Sequence, residues 1–145
     1  MVRERHPSTR SEEDRCELIV WAVACCERLL PLFAAAAPAD PRPREALDGA
    51  LAFARGELRI GAARKLSAAC HAAARTAPDR PSVAVARMCG HAAAVAHMGS
   101  HARGIPYYAR KALPAARAET EDAWQRARLP PRFTAFVYPD YPPPK

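Results

Sequence analysis

A chain of 145 residues is long enough to bury one core without disulfides or metals, and at 50% apolar and 26% charged it has the composition of a folded soluble protein rather than a disordered one. Five cysteines, an odd number with no CxxC pair, argue against a disulfide framework and for reduced thiols packed as small hydrophobes. The charged start MVRERHPSTRSEEDR holds no apolar signal segment and no uncharged run is long enough to span a bilayer, so a cytoplasmic location without membrane contact is expected.

Residues 1–10 lack periodicity and are expected to form a flexible arm, followed by a helical domain over 11–137 and a proline-rich tail over 138–145. Ser11 ahead of Glu12, Glu13 and Asp14 has the form of a helix start, because a serine cap and first-turn carboxylates complement the exposed N–H groups. The first helix turns Cys16, Ile19, Val20, Val23, Cys26, Leu30 and Phe33 inward, and Pro31 is expected to kink it or end it near Leu30. Glu27 and Arg28 lie on its other side, as a local ion pair or cap contact. Asp40-Pro41-Arg42-Pro43 opens a second helix that buries Leu47, Ala50, Leu51 and Ala54 and stops at Gly56. Residues 59–77 read as a third, with Ala62, Leu66, Ala69, Cys70, Ala73 and Ala77 inward and Arg64, Ala68, His71 and Arg75 on the opposite face.

Asp79, Arg80 and Pro81 start the next helix, which is expected to run to about Ala102 with Gly104 as its stop. Its stretch RMCGHAAAVAHMGSHARG has one apolar stripe at Val85, Met88, Ala92, Val95, Ala96 and Gly99. A second stripe, nearly opposite, holds Ala86, Gly90, Ala93, His97 and His101. A helix with neighbours on both faces belongs at the centre of a bundle. Ile105-Pro106 opens a further helix that Pro114 bends or splits, and a buried face at Leu113, Ala116, Thr120, Ala123, Trp124 and Ala127 continues to Leu129. Phe133 to Lys145 reads as extended. No strand-like alternation occurs, so the expected fold is all-α: a single compact bundle of five or six helices around a buried central helix.

Net charge is +7, and between Arg59 and Arg117 the only acidic residue is Asp79. Such a basic middle can steer an acidic partner. A nucleic-acid-binding surface is disfavoured, because the basic residues are not interleaved with aromatics. Glycine-rich phosphate loops and GxSxG are missing, and no cysteine has a readable histidine and carboxylate arrangement, so an enzyme is not the favoured reading. The one motif with chemical potential is HxxxH at His97 and His101, whose i,i+4 spacing on a helix lets two imidazoles reach one metal ion. Glu27 is the obvious third ligand, ahead of His71, whose stripe points outward, which makes a small metal-dependent enzyme using zinc or iron the alternative. His91 lies about 120° round the same helix from His97 and is expected to be outside that site.

The blocks WAVACCERLLPLF, DPRPREALDGALAFARGE, AARKLSAACHAAAR, CGHAAAVAHMGSHARG, YYARKA and WQRARLPPRF, in that order, resemble a family of bacterial immunity proteins, the immunity-five-like class of polymorphic toxin systems. The resemblance spans roughly residues 16–137. It implies a helical protein that binds a cognate toxin and blocks it, with no catalytic residues and no cofactor. The polar positions that match are Glu27, Arg28, Arg42, Arg44, His71, Arg75, His91, His97 and His101. A basic inhibitor suits a toxin with an acidic contact surface rather than a basic nuclease. The expected contact residues are Arg64, His71 and Arg75, with Arg42, Arg44 and Tyr107 beside them.

Overall fold

The computed structural model describes residues 6–139. Helix α1 (Glu12–Ala36) begins as expected: the Ser11 hydroxyl accepts the Asp14 N–H at 3.0 Å, and three carboxylates fill the first turn. It does not end near Leu30 but continues through Pro31 to Ala36, because Leu29 and Phe33 are both buried in the core and their packing outweighs the lost backbone bond. Leu18, Ala22, Cys25 and Leu29 share the interior with Ile19, Val23, Cys26 and Phe33, whereas Val20 is 56% exposed and Leu30 only half-buried. By length and composition α1 is apolar enough to cross a membrane. Here its apolar residues pack between α2 (Arg42–Ala54) and α4 (Arg80–Ala94).

Helix α2 stops where the sequence says. The Glu57 N–H donates to the Ala52 carbonyl at 2.8 Å and the Gly56 N–H to that of Phe53 at 2.9 Å. This termination needs a left-handed residue, and Gly56 supplies it at φ +77°. Helix α3 (Ile60–Thr76) buries Ala63, Ser67, Cys70, Ala73 and Ala74, about one residue round from the expected stripe. That rotation leaves Arg64 and Arg75 exposed but turns His71 half inward. Helix α4 starts with a reciprocal cap, in which Asp79 accepts the Ser82 N–H at 2.8 Å and the Asp79 N–H donates to the Ser82 hydroxyl at 3.3 Å. It packs against α1, α2, α3 and α5 (Gly104–Ala112).

The expected continuous helix to Ala102 is corrected at this point. Helix α4 ends at Ala94, Met98 is extended at φ −151° and ψ 109°, and Gly99–Arg103 forms a 3₁₀ turn that runs directly into α5. Gly104 therefore opens a helix rather than stopping one. The break is held from outside. Thr9 and Ser8 carbonyls accept the Gly99 and Ser100 N–H groups, each at 2.9 Å, and the buried Arg15 donates Nε to the Ala96 carbonyl at 3.0 Å. Arg15 Nη1 also donates to the Arg10 carbonyl at 2.7 Å, across a turn in which Arg10 takes φ +63°. Residues 8–10 of the expected arm thus lie bonded to the bundle, and residues 1–5 fall outside the described residues.

Pro114 splits α5 from α6 (Ala115–Arg128). The expected inner face of α6 is outward: Ala116, Thr120, Ala123 and Ala127 are exposed, while Glu121 and Gln125 are buried. Alanine offers too little apolar area to orient a helix, and polar anchors set the rotation instead. Arg28 reaches Glu121 with two bonds of 2.7 and 3.0 Å, its guanidinium 4.0 Å from the Trp124 ring centroid, and Trp21 Nε1 donates to the Gln125 carbonyl at 2.8 Å. Of the segment expected to be extended, residues 133–137 are helical. A 3₁₀ turn at Pro131–Phe133 leads into the short α7 (Thr134–Val137), burying Phe133, Val137 and Tyr138. Among the described residues the fold is seven α-helices with no strand, and tail residues 140–145 lie outside them.

Arg28→Ala strands the Glu121 carboxylate, whose side chain is 9% exposed, and is expected to cost about 1–3 kcal/mol of folding stability. Adding Glu121→Gln should restore part of it. Denaturant titration checks both, and an unchanged midpoint for Arg28→Ala would contradict this docking of α6.

Candidate functional site

The break after α4 folds the chain back on itself, so the histidines meet in a way a single helix forbids. His91 on α4 and His101 in the 3₁₀ turn face each other with Nδ1 atoms 3.1 Å apart and ring centroids 5.1 Å apart. His97 packs 5.1 Å from His101 on one side, and His71 of α3 lies edge-on to His91 at 5.5 Å on the other. Four imidazoles therefore form one row across α3, the end of α4 and the turn. Tyr108 of α5 lies 5.2 Å from His91, and Tyr107 stands T-shaped on Tyr108 at 4.9 Å. Gly104 makes the approach possible: a Cβ there would come within 2.6 Å of the His91 ring.

Chemistry fixes the protons in part of the row. Arg87 Nη1 lies 2.8 Å from His71 Nδ1, and since arginine only donates, Nδ1 accepts and the His71 proton sits on Nε2. A 3.1 Å Nδ1 pair likewise requires one donor and one acceptor, so His91 and His101 are not both cations. Every perturbation acts in one direction. Burial, reinforced by Arg87, His101 and Arg75, lowers the His71 pKa, and burial with His101, Arg64 and Arg15 lowers that of His97. Burial alone lowers His101, while burial, His101, His71 and Arg87 bring His91 down to about 4. The row is neutral at pH 7, in a basic setting.

The expected metal set is not assembled. His97 and His101 adjoin, but Glu27 gives both carboxylate oxygens to Arg44, at 2.6 and 2.7 Å, which holds its pKa down. Among the described residues no three of His, Cys, Asp and Glu form a group able to hold a metal ion. His91, set aside from the sequence because a continuous helix would rotate it away, stands in the middle of the row. The signal for it was the pair Gly99-Ser100 with Gly104 close behind, residues that weaken an alanine-rich helix.

The expected contact residues divide by their partners. Arg64 and Arg75 are exposed on α3, on the side of His97 and His71 respectively, with no ion pair among the described residues. Arg42 pairs with Asp40 at 2.7 Å at the α1–α2 corner, and Arg44 joins α2 to α1 through Glu27. Tyr107 is 49% exposed at the rim of a cavity of about 530 Å³ beside the row.

Because the folded state prefers neutral His91 while an unfolded histidine titrates near 6.5, the unfolded chain binds more protons between those values. Stability is therefore expected to fall as pH drops from about 6.5 towards 4. Thermal denaturation from pH 7.5 to 5 should show a Tm decline that is smaller in His91→Gln; identical slopes would contradict the assignment.

A family model described as "Imm-5 like putative immunity protein" matches residues 8–132, from the segment bonded to the 3₁₀ turn through the end of α6 and including the whole histidine row. No curated protein and no solved structure matches the chain. With that match covering nearly all of the described residues, the chain belongs to the Imm-5 like immunity protein family.

Proposed function

We propose that this protein neutralises a cognate toxin in the cytoplasm by occluding it, without catalysis and without a cofactor, and that the toxin presents an acidic surface to it. The reading rests on family membership together with one observation, the unequal use of arginines. Arg28, Arg42, Arg44, Arg110, Arg126 and Arg132 are engaged by carboxylates of the chain itself. Arg64 and Arg75 are not, and they flank the histidine row on a stretch where Asp79, used as the α4 cap, is the only acidic residue between Arg59 and Arg117.

A partner carboxylate docking there displaces no internal ion pair, so its attraction is not spent on breaking one. His71, half-buried between Arg75 and Arg87, adds a polar edge, and Tyr107 supplies an amphipathic anchor of the kind enriched in interface hot spots. Arg42 and Arg44 in this reading hold the α1–α2 corner and do not touch the toxin.

Arg64→Glu with Arg75→Glu is expected to weaken the toxin complex at least roughly 10-fold while leaving the helical circular-dichroism spectrum and Tm unchanged, as expected when two exposed cations are reversed opposite carboxylates. Affinity is to be measured by calorimetry on the isolated partner. Equal affinity in the double variant would remove the α3 face from the contact.

A further inference from the structure

The closest contact in the histidine row joins two elements that are each fixed from elsewhere. His91 stands on the last turn of α4 with Gly104 against its ring, and His101 sits in the 3₁₀ turn whose Gly99 and Ser100 N–H groups are held by Thr9 and Ser8. Their Nδ1 atoms face each other at 3.1 Å. Two donor atoms are thus brought together on backbone that does not have to move to meet a ligand.

Two nitrogens about 2.0–2.1 Å from one transition-metal ion, and about 100° apart as seen from it, stand about 3.1 Å from each other. The separation of this pair therefore suits two ligands on one ion as well as it suits a hydrogen bond. In the hydrogen-bonded form one neutral imidazole carries its proton on Nδ1. With an ion between the rings both protons sit on Nε2, so one proton passes through solvent from Nδ1 to Nε2 of the same ring and none is released. Burial, which disfavours a second proton on either ring, keeps protons from competing with the ion at neutral pH.

The surroundings select the ion. Arg87 acts on His91, and Arg103 lines the cavity that His91 and His101 also line, so the local field opposes a cation. Affinity has to come from bonds to imidazole nitrogen, which suit zinc, copper and nickel, and not from carboxylate oxygens, which suit magnesium and calcium.

We propose that His91 and His101 together bind one divalent transition-metal ion of the zinc and copper class through their Nδ1 atoms, clipping the end of α4 to the 3₁₀ turn. Water fills the remaining positions, since among the described residues no third His, Cys, Asp or Glu is in place. The pair differs from the set of His97, His101 and Glu27, which loses Glu27 to Arg44. The site goes beyond toxin occlusion, which does not require the ion.

The test is a titration of the purified, EDTA-treated full chain at pH 7.5 with Zn(II), Cu(II) and Mg(II), read by calorimetry and thermal shift, with electron paramagnetic resonance of the Cu(II) form. Zn(II) is expected to bind one per chain and to raise Tm, Cu(II) to bind more tightly, and Mg(II) not to bind. The Cu(II) spectrum should show coupling to two imidazole nitrogens. His91→Gln and His101→Gln should each weaken Zn(II) and Cu(II) at least about tenfold, the scale reached when even the supports of a metal ligand are removed. The wild-type spectrum carries the test even where a variant fails to fold. Absence of Zn(II) and Cu(II) binding at millimolar concentration would overturn the proposal, as would binding unchanged in both variants or a Cu(II) spectrum with a single coupled nitrogen. Either result leaves the toxin complex, measured separately, untouched.

Discussion

Arg15 is the constraint on which the candidate site depends. A guanidinium that is 5% exposed needs fixed acceptors, and it finds two backbone carbonyls, Ala96 at 3.0 Å and Arg10 at 2.7 Å. One lies just after α4 and the other in the turn before α1, so a single side chain ties both to the core helix. The Thr9 and Ser8 carbonyls then take the Gly99 and Ser100 N–H groups that a continuing α-helix would have used itself. An intermolecular-style contact within one chain thus ends α4 at Ala94 and folds His101 back onto His91.

The same logic governs the charges. Among the described residues eight carboxylates, Asp14, Glu17, Glu27, Asp40, Asp48, Glu57, Glu121 and Asp122, pair with arginines of the chain itself. Several of those pairs join elements distant in sequence: Arg28 with Glu121 docks α6 on α1, Arg44 with Glu27 fixes α2, and Arg132 reaches Asp14 at 2.7 Å and also Glu17. Partly exposed pairs contribute modestly to stability, but they determine which cations are left over. Those on α3, beside a row of histidines held neutral by burial, form a surface whose charge is available to a partner. In the proposed reading this is the surface that the toxin meets, and membership of the immunity family is what motivates the proposal.

Helices and caps were legible in the sequence because their causes are local. Ser11, Asp79 and Gly56 act within a few residues of themselves, and each does what its chemistry demands. Facing was less legible. In α1 apolar residues occur on every side, so Val20 read as core, and in α6 an alanine stripe lost to the Glu121 side chain on Arg28 and the Gln125 backbone carbonyl on Trp21. The histidine row was half legible: His97 and His101 stood out by spacing, but their helix does not persist, and what interrupts it is Arg15, more than 80 residues away in sequence at Ala96. Periodicity carries no record of such a contact. Arg64 and Arg75 could be named from their stripe, whereas the commitment of Arg42 and Arg44 to Asp40 and Glu27 required the three-dimensional arrangement.

Hydrogen exchange of the protein alone and in complex with its isolated toxin tests the central claim most directly. Occlusion through the basic face predicts new protection concentrated in Ile60–Thr76 and in Gly99–Ala112, the segments that carry Arg64, His71, Arg75 and Tyr107. Protection confined to α2 and the outer alanine face of α6, with α3 and the turn unchanged, would contradict it.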